Sequence, residues 1–196
     1  KGVRVHRSRW AFAVKKDEEG KFKQLAPRWC IVGTTMDRAT HCSYAENAKE
    51  VTMNIIYAIR AVYFVKDFHW DLKNAHPNTP DTKHETLYAD LPRNRVELGK
   101  GGVPKVAKMR TAHQGRIDAA NLFNEHLGEC MVRTPGVRRL LWDRMTFVFH
   151  RGPLAATPAD LFEALTAYAD MPPEEGLPIG WGCVAWHADD GLGVAG

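Results

Sequence analysis

The sequence predicts an α+β protein in which an antiparallel sheet packs on helices, and three observations carry that prediction. Two segments, at 9–33 and about 181–195, place strand-like runs on either side of a short polar turn, the signature of a β-hairpin. Two others, at about 48–65 and 116–131, repeat apolar residues at helical spacing. The 196 residues are 44% hydrophobic, enough to bury one core as a single domain or as two lobes sharing it.

Positive charge gathers at the start of the chain. Net charge is only +4, yet Arg4, Arg7, Arg9, Lys15, Lys16, Lys21, Lys23 and Arg28 face only Asp17, Glu18 and Glu19 there. Such an arm attracts phosphate without reading bases, or merely solubilises the chain. Within it Trp10–Lys15 alternates, Asp17-Glu18-Glu19-Gly20 is a turn cluster, and Phe22–Val32 returns, with Pro27 suited to an edge or bulge. Residues 34–46 read as loop. Asn47 is the expected cap of the first helix, whose Val51, Ile55, Ile59 and Val62 form a stripe broadened by Met53, Ile56, Tyr57 and Phe64. So much apolar surface predicts burial beneath a sheet.

A strand carrying Phe68, His69, Trp70 and Asp71 follows, broken by Pro77-Asn78-Thr79-Pro80-Asp81. Residues 93–104, with Gly99, Lys100, Gly101 and Gly102, read as a flexible basic loop. The second helix uses Ile117, Ala120, Phe123, Leu127 and Met131. Pro135-Gly136 makes a turn before Arg138-Arg139 and the strand Met145–Phe149. At 151–180, a Pro- and Gly-bounded segment encloses a short helix capped by Thr157, with Pro158 in its first turn and Asp160 as capping-box acid.

Four cysteines, Cys30, Cys42, Cys130 and Cys183, lack C-x-x-C or zinc-ligand spacing and read as reduced, mostly buried thiols of an intracellular protein. The nine histidines are scattered, His69 and His76 flanking Asp71. No apolar run is long enough to span a membrane, and no signal peptide is visible. A first residue other than Met is expected of a fragment or processed chain.

The chemistry concentrates at Asp71 and at Trp186-His187-Ala188-Asp189-Asp190-Gly191. Asp-Gly favours a two-residue turn, which would set Asp189 and Asp190 at the bend between strands at about 181–187 and 192–195. If the strand ending near Asp71 lies alongside, three carboxylates converge and need divalent cations to relieve their repulsion.

These blocks resemble the reverse transcriptases of copia-type retrotransposons. Asp71-Leu72-Lys73-Asn74-Ala75 is similar to that family's first catalytic block, and His187-Ala188-Asp189-Asp190 to its Tyr-Val-Asp-Asp turn. The resemblance implies a right-hand polymerase fold with a fingers-like hairpin and basic arm in 1–46 and a palm in 47–196, interrupted by an insertion at about 151–180, with no thumb or ribonuclease H region. It implies that Asp71, Asp189 and Asp190 are catalytic and hold two Mg2+ ions. Arg28 matches a basic position that meets the incoming triphosphate, while Ala26 and Val32 stand where the family has basic residues. His76 occupies a position usually aromatic, which screens the sugar 2′ side. Gln114, Gly115 and Arg116 match the block that lies against template and nascent base pair, although Thr111 replaces its expected Gly.

Two readings follow. One is an RNA- or DNA-templated polymerase acting on primer-template and dNTP. The other is an inert derivative, serving as a structural or RNA-contacting subunit among protein or RNA neighbours.

Overall fold

The computed structural model describes residues 3–39, 41–81, 86–150, 181–188 and 190–195. In chain order the elements are β1 Val5–His6, β2 Ser8–Lys16, β3 Phe22–Ile31, α1 Glu50–Tyr63, β4 Lys66–Asp71, α2 Ala75–Asn78, β5 Tyr88–Asp90, β6 Val106–Lys108, α3 Ala119–Arg133, β7 Val137–Arg139, β8 Thr146–His150, β9 Trp181–His187 and β10 Asp190–Ala195. They form two compact units, each discontinuous in the chain: the first Lys1–Ala45 with Asn74–Phe123, the second Glu46–Lys73 with Asn124–Gly196. The expected continuous division at 46/47 is therefore not the division seen, because the chain crosses between units at residues 73/74 and 123/124 as well.

In the first unit β1 pairs parallel with β5, and β5 antiparallel with β6. β2 and β3 form a separate antiparallel ribbon, with Trp10 opposite Trp29, Phe12 opposite Pro27 and Val14 opposite Leu25. Its base is tied down by Ser8, whose N–H donates to Asp90 Oδ1 at 2.5 Å and whose hydroxyl donates to the Asp90 carbonyl at 2.8 Å. Ile31, Met36, Ala89 and Met109 bury together, with Trp29, Leu87 and Ile117 packed around them. The stretch expected to be a flexible loop instead closes on itself. Leu98 bridges Pro104, and Lys105 N–H donates to Glu97 O at 2.8 Å.

The second unit is a five-stranded antiparallel sheet in the order β4-β10-β9-β8-β7. Ile56 of α1 buries against Leu140, Val148, Cys183, Ala185, Leu192 and Val194, with Met53 and Ile59 beside it. Opposed residues share a face in an antiparallel pair, and the register makes the other face aromatic. There the Phe68 and Trp70 rings lie 4.9 Å apart, and Trp70 and Trp186 5.7 Å apart. Gly191 sits on this face opposite Trp70 and Trp186, and a Cβ on it would stand 3.0 Å from the Trp186 ring.

Several expectations are corrected. α1 is not buried all round: Thr52 and Ile56 are its buried residues, while Val51, Ile55, Tyr57, Val62 and Phe64 are exposed. Asn47 does not cap it. Asp143, 2% exposed, does so from far along the chain, its Oδ2 accepting from Lys49 N–H at 2.9 Å and from the Thr52 hydroxyl at 2.6 Å. A carboxylate there satisfies an unpaired N–H and suits the positive end of the helix dipole. β4 ends at Asp71 rather than continuing to Pro77; Asn74 turns left-handed at φ 56°, and Pro77 lies inside the single turn of α2. α3 starts at Ala119, three residues later than expected, because Arg116 and Asp118 are engaged in side-chain pairing before it. Of the cysteines only Cys183 is buried; Cys42 and Cys130 are exposed and Cys30 intermediate, all of them free. The predicted helix at Thr157 lies outside the described residues.

Candidate functional site

The site builds from the edge of the second unit's sheet. Asp71, last residue of β4, stands directly opposite Asp190, first residue of β10, and Asp190 in turn stands opposite His187, last of β9. Three side chains thus form a row across three neighbouring strands on one face, with His69 one step inward opposite Leu192. It is the face that α1 covers further along. Opposed Cβ atoms in such a pair lie about 4.5–5.5 Å apart, close enough for carboxylates to repel or to share a cation. All four side chains are exposed. Among the described residues neither Asp71 nor Asp190 has a hydrogen-bond or ion-pair partner, whereas Asp67, on the same face, is contacted by Arg60 at 3.3 Å and His69 at 3.6 Å.

The turn that presents Asp190 differs from the expected one. β9 closes at His187 and β10 opens at Asp190, and Ala188 between them is left-handed at φ 54°. Asp190-Gly191 belongs to the strand, where Gly191 leaves room for the Trp186 ring. Asp189 lies outside the described residues. Two residues that were not expected at the site hold this arrangement. Asn47 Oδ1 accepts from Ala188 N–H at 3.1 Å, and the Trp186 carbonyl accepts from Ala48 N–H at 2.8 Å, so the start of α1 is fastened to the turn. Asp143 adds to the bracing, its other oxygen taking Met145 N–H at 3.1 Å while Met145 O accepts from Trp186 N–H at 2.9 Å. Only Asn47 was in view from sequence, and for a different task.

A cavity of about 380 Å3 is lined by Asp71, Asp190, His69, His187, Met53 and Tyr57 among others. Two adjacent aspartates with oxygen donors suit a hard divalent cation. Among the described residues, however, no group of three or more His, Cys, Asp or Glu side chains is arranged to hold a metal ion.

The remaining sequence candidates all belong to the first unit. Arg28 is exposed on β3, opposite Ala11. His76 lies in α2, its ring edge-on to Phe123 at 5.9 Å. Gln114 O accepts from Ile31 N–H at 2.9 Å, and Gly115, at φ 86°, comes so close to Ile31 that a Cβ would overlap its carbonyl. That approach accounts for Gly115 without invoking a ligand. Arg116 is corrected most. Its side chain is fully buried, donating to Asp81 at 2.6 Å, to both Asp118 oxygens at 2.9 Å and to the Thr111 carbonyl at 3.2 Å. In this arrangement it is committed to the fold and not presented to a template.

No family model, curated protein or solved structure matches this chain. Charge is nevertheless unequally shared. The first unit holds eighteen Lys and Arg against nine Asp and Glu, the second nine against fourteen. The opposed aspartates are thus part of the acidic unit.

Proposed function

We propose that the second unit is a reverse-transcriptase-like palm and that the chain supports templated nucleotidyl transfer, with primer-template and dNTP as substrates. The observation that supports this reading is Asp71 standing opposite Asp190 at the open edge of an antiparallel sheet packed on a helix. Like charges directly opposed destabilise a strand pair. A position that keeps both, exposed and unpaired, is suited to cations supplied from solution. When bound, Mg2+ would activate the attacking hydroxyl and stabilise the leaving oxygen. Asp71 and Asp190 would hold it, and Asn47 and Asp143 would keep the turn and helix start fixed.

The second reading, an inert derivative acting as a subunit of a larger assembly, is favoured by one observation, the internal commitment of Arg116. Primer extension on a defined RNA template, run alongside Mg2+ titration calorimetry, separates the two. Activity and Mg2+ binding that both vanish in Asp71→Asn support the polymerase. A chain that binds no Mg2+ and extends no primer is the inert derivative.

A further inference from the structure

The β2–β3 ribbon has two unlike faces. Its register sets Trp10, Phe12, Val14 and Lys16 with Trp29, Pro27, Leu25 and Phe22 on one side, and Arg9, Ala11, Ala13 and Lys15 with Cys30, Arg28, Ala26 and Gln24 on the other. Near its base the first face is engaged: Trp10 Nε1 donates to Asn94 Oδ1 at 2.9 Å, and the Trp29 ring lies 5.0 Å from that of His113. Its outer half is bare, with Phe12 65%, Phe22 64%, Val14 59% and Leu25 54% exposed. A two-stranded ribbon is marginal in water unless its apolar face is covered, and contiguous exposed apolar surface marks an interaction site.

We infer that this outer face docks an acidic, amphipathic protein segment, apolar on one side and carboxylate-bearing on the other. Charge complementarity identifies the occupant. The ribbon from Ser8 to Ile31 carries six Lys and Arg against three acids, and Lys16 stands opposite Phe22 near the tip, with Lys21 and Lys23 its neighbours in the chain. Aliphatic Val14 and Leu25 sit between the two phenylalanines and provide no π-face for stacked bases. Arg9 and Arg28, the guanidinium groups suited to phosphate, lie on the opposite side. Joining two ribbons face to face would set these lysines against their own kind, so a second copy fits less well than an acidic partner. The surface is independent of the nucleotidyl-transfer reading.

The test is fluorescence anisotropy on the full chain. The probe is a Leu/Glu peptide about five helical turns long with its leucines on one face, and its control has the same composition with the leucines scattered. The patterned peptide is expected to bind at least about ten-fold more tightly than the control, a difference of about 1.4 kcal/mol. Phe12→Ser with Leu25→Ser, and separately Lys16→Glu with Lys23→Glu, should each remove that preference, while Ala13→Ser on the other face leaves it. Equal binding of the two peptides overturns the inference. So does an oligouridylate whose binding is lost in Phe12→Ser, which makes the face a base platform. Concentration-dependent dimers in sedimentation, abolished by Phe12→Ser, overturn it in favour of a second copy.

Discussion

The two units use charge in opposite ways. In the first, Arg116, Asp81 and Asp118 are withdrawn almost completely from water and satisfy one another, with His41 Nδ1 2.9 Å from Asp118. In the second, Asp71 and Asp190 are of one sign, opposed, exposed and without partners among the described residues. Buried charge must be paired to be tolerated, so the first cluster belongs to stability. Exposed like charge gains nothing for the fold, so the second is where a ligand is to be sought. The difference teaches that pairing, more than the mere presence of charged side chains, separates a structural cluster from a candidate site.

Breaking the buried cluster should have the largest effect. Asp118→Asn leaves Arg116 without one of its two carboxylates, and a loss of about 3–5 kcal/mol is expected in urea unfolding; a loss below about 1 kcal/mol would dissolve the contrast between the units. Gly115→Ala forces a Cβ toward the Ile31 carbonyl at a left-handed φ, and about 1–3 kcal/mol should be lost, read by the same unfolding curves.

The helix cap ranks next. Asp143→Ala should cost about 1–2 kcal/mol by removing the acceptor for Lys49 N–H and the Thr52 hydroxyl. It should also loosen the Ala188 turn, seen as faster amide exchange there. The acidic pair should behave in reverse: Asp190→Asn relieves repulsion and raises stability by about 0.2–1 kcal/mol while abolishing Mg2+ binding, measured by thermal melting and calorimetry.

Acid sharpens the comparison further. Burial, reinforced by the charge of nearby Arg116, holds His6 and His113 below the usual histidine range of 6.5. The folded state therefore binds fewer protons than the unfolded one, and stability is lost as pH falls below 6.5. Burial opposes ionisation of Asp118, yet its bonds to Arg116 and His41 outweigh that and hold its carboxyl below the ordinary 3.8, so a second loss follows as pH drops through that value. Unfolding midpoints at a series of pH values should show both phases, and Asp118→Asn should remove the lower one.

Much of the outline was legible because periodicity is local. The 8–16/22–31 ribbon, both long helices and the hairpin ending at Ala195 follow from alternation, helical spacing and turn residues read within windows of a dozen positions. What misled was local chemistry with more than one use. Asp190-Gly191 has the composition of a turn, yet Gly191 serves the Trp186 ring inside a strand. Asn47 has the chemistry of a cap, yet Asp143 caps α1 and Asn47 holds the turn. Arg116 has the charge of a phosphate ligand, yet Asp81 and Asp118 enclose it.

By itself the sequence determined the α+β character, the basic ribbon and the presence of carboxylates at strand ends, since these depend on residue type and spacing alone. Only the tertiary structure decided that Asp71 faces Asp190, that Asp143 braces the start of α1, and that Arg116 is buried. Each of those pairs joins residues 35 or more positions apart or depends on which face is buried. Strand register and burial are settled by packing of the whole unit, which no short window of sequence contains.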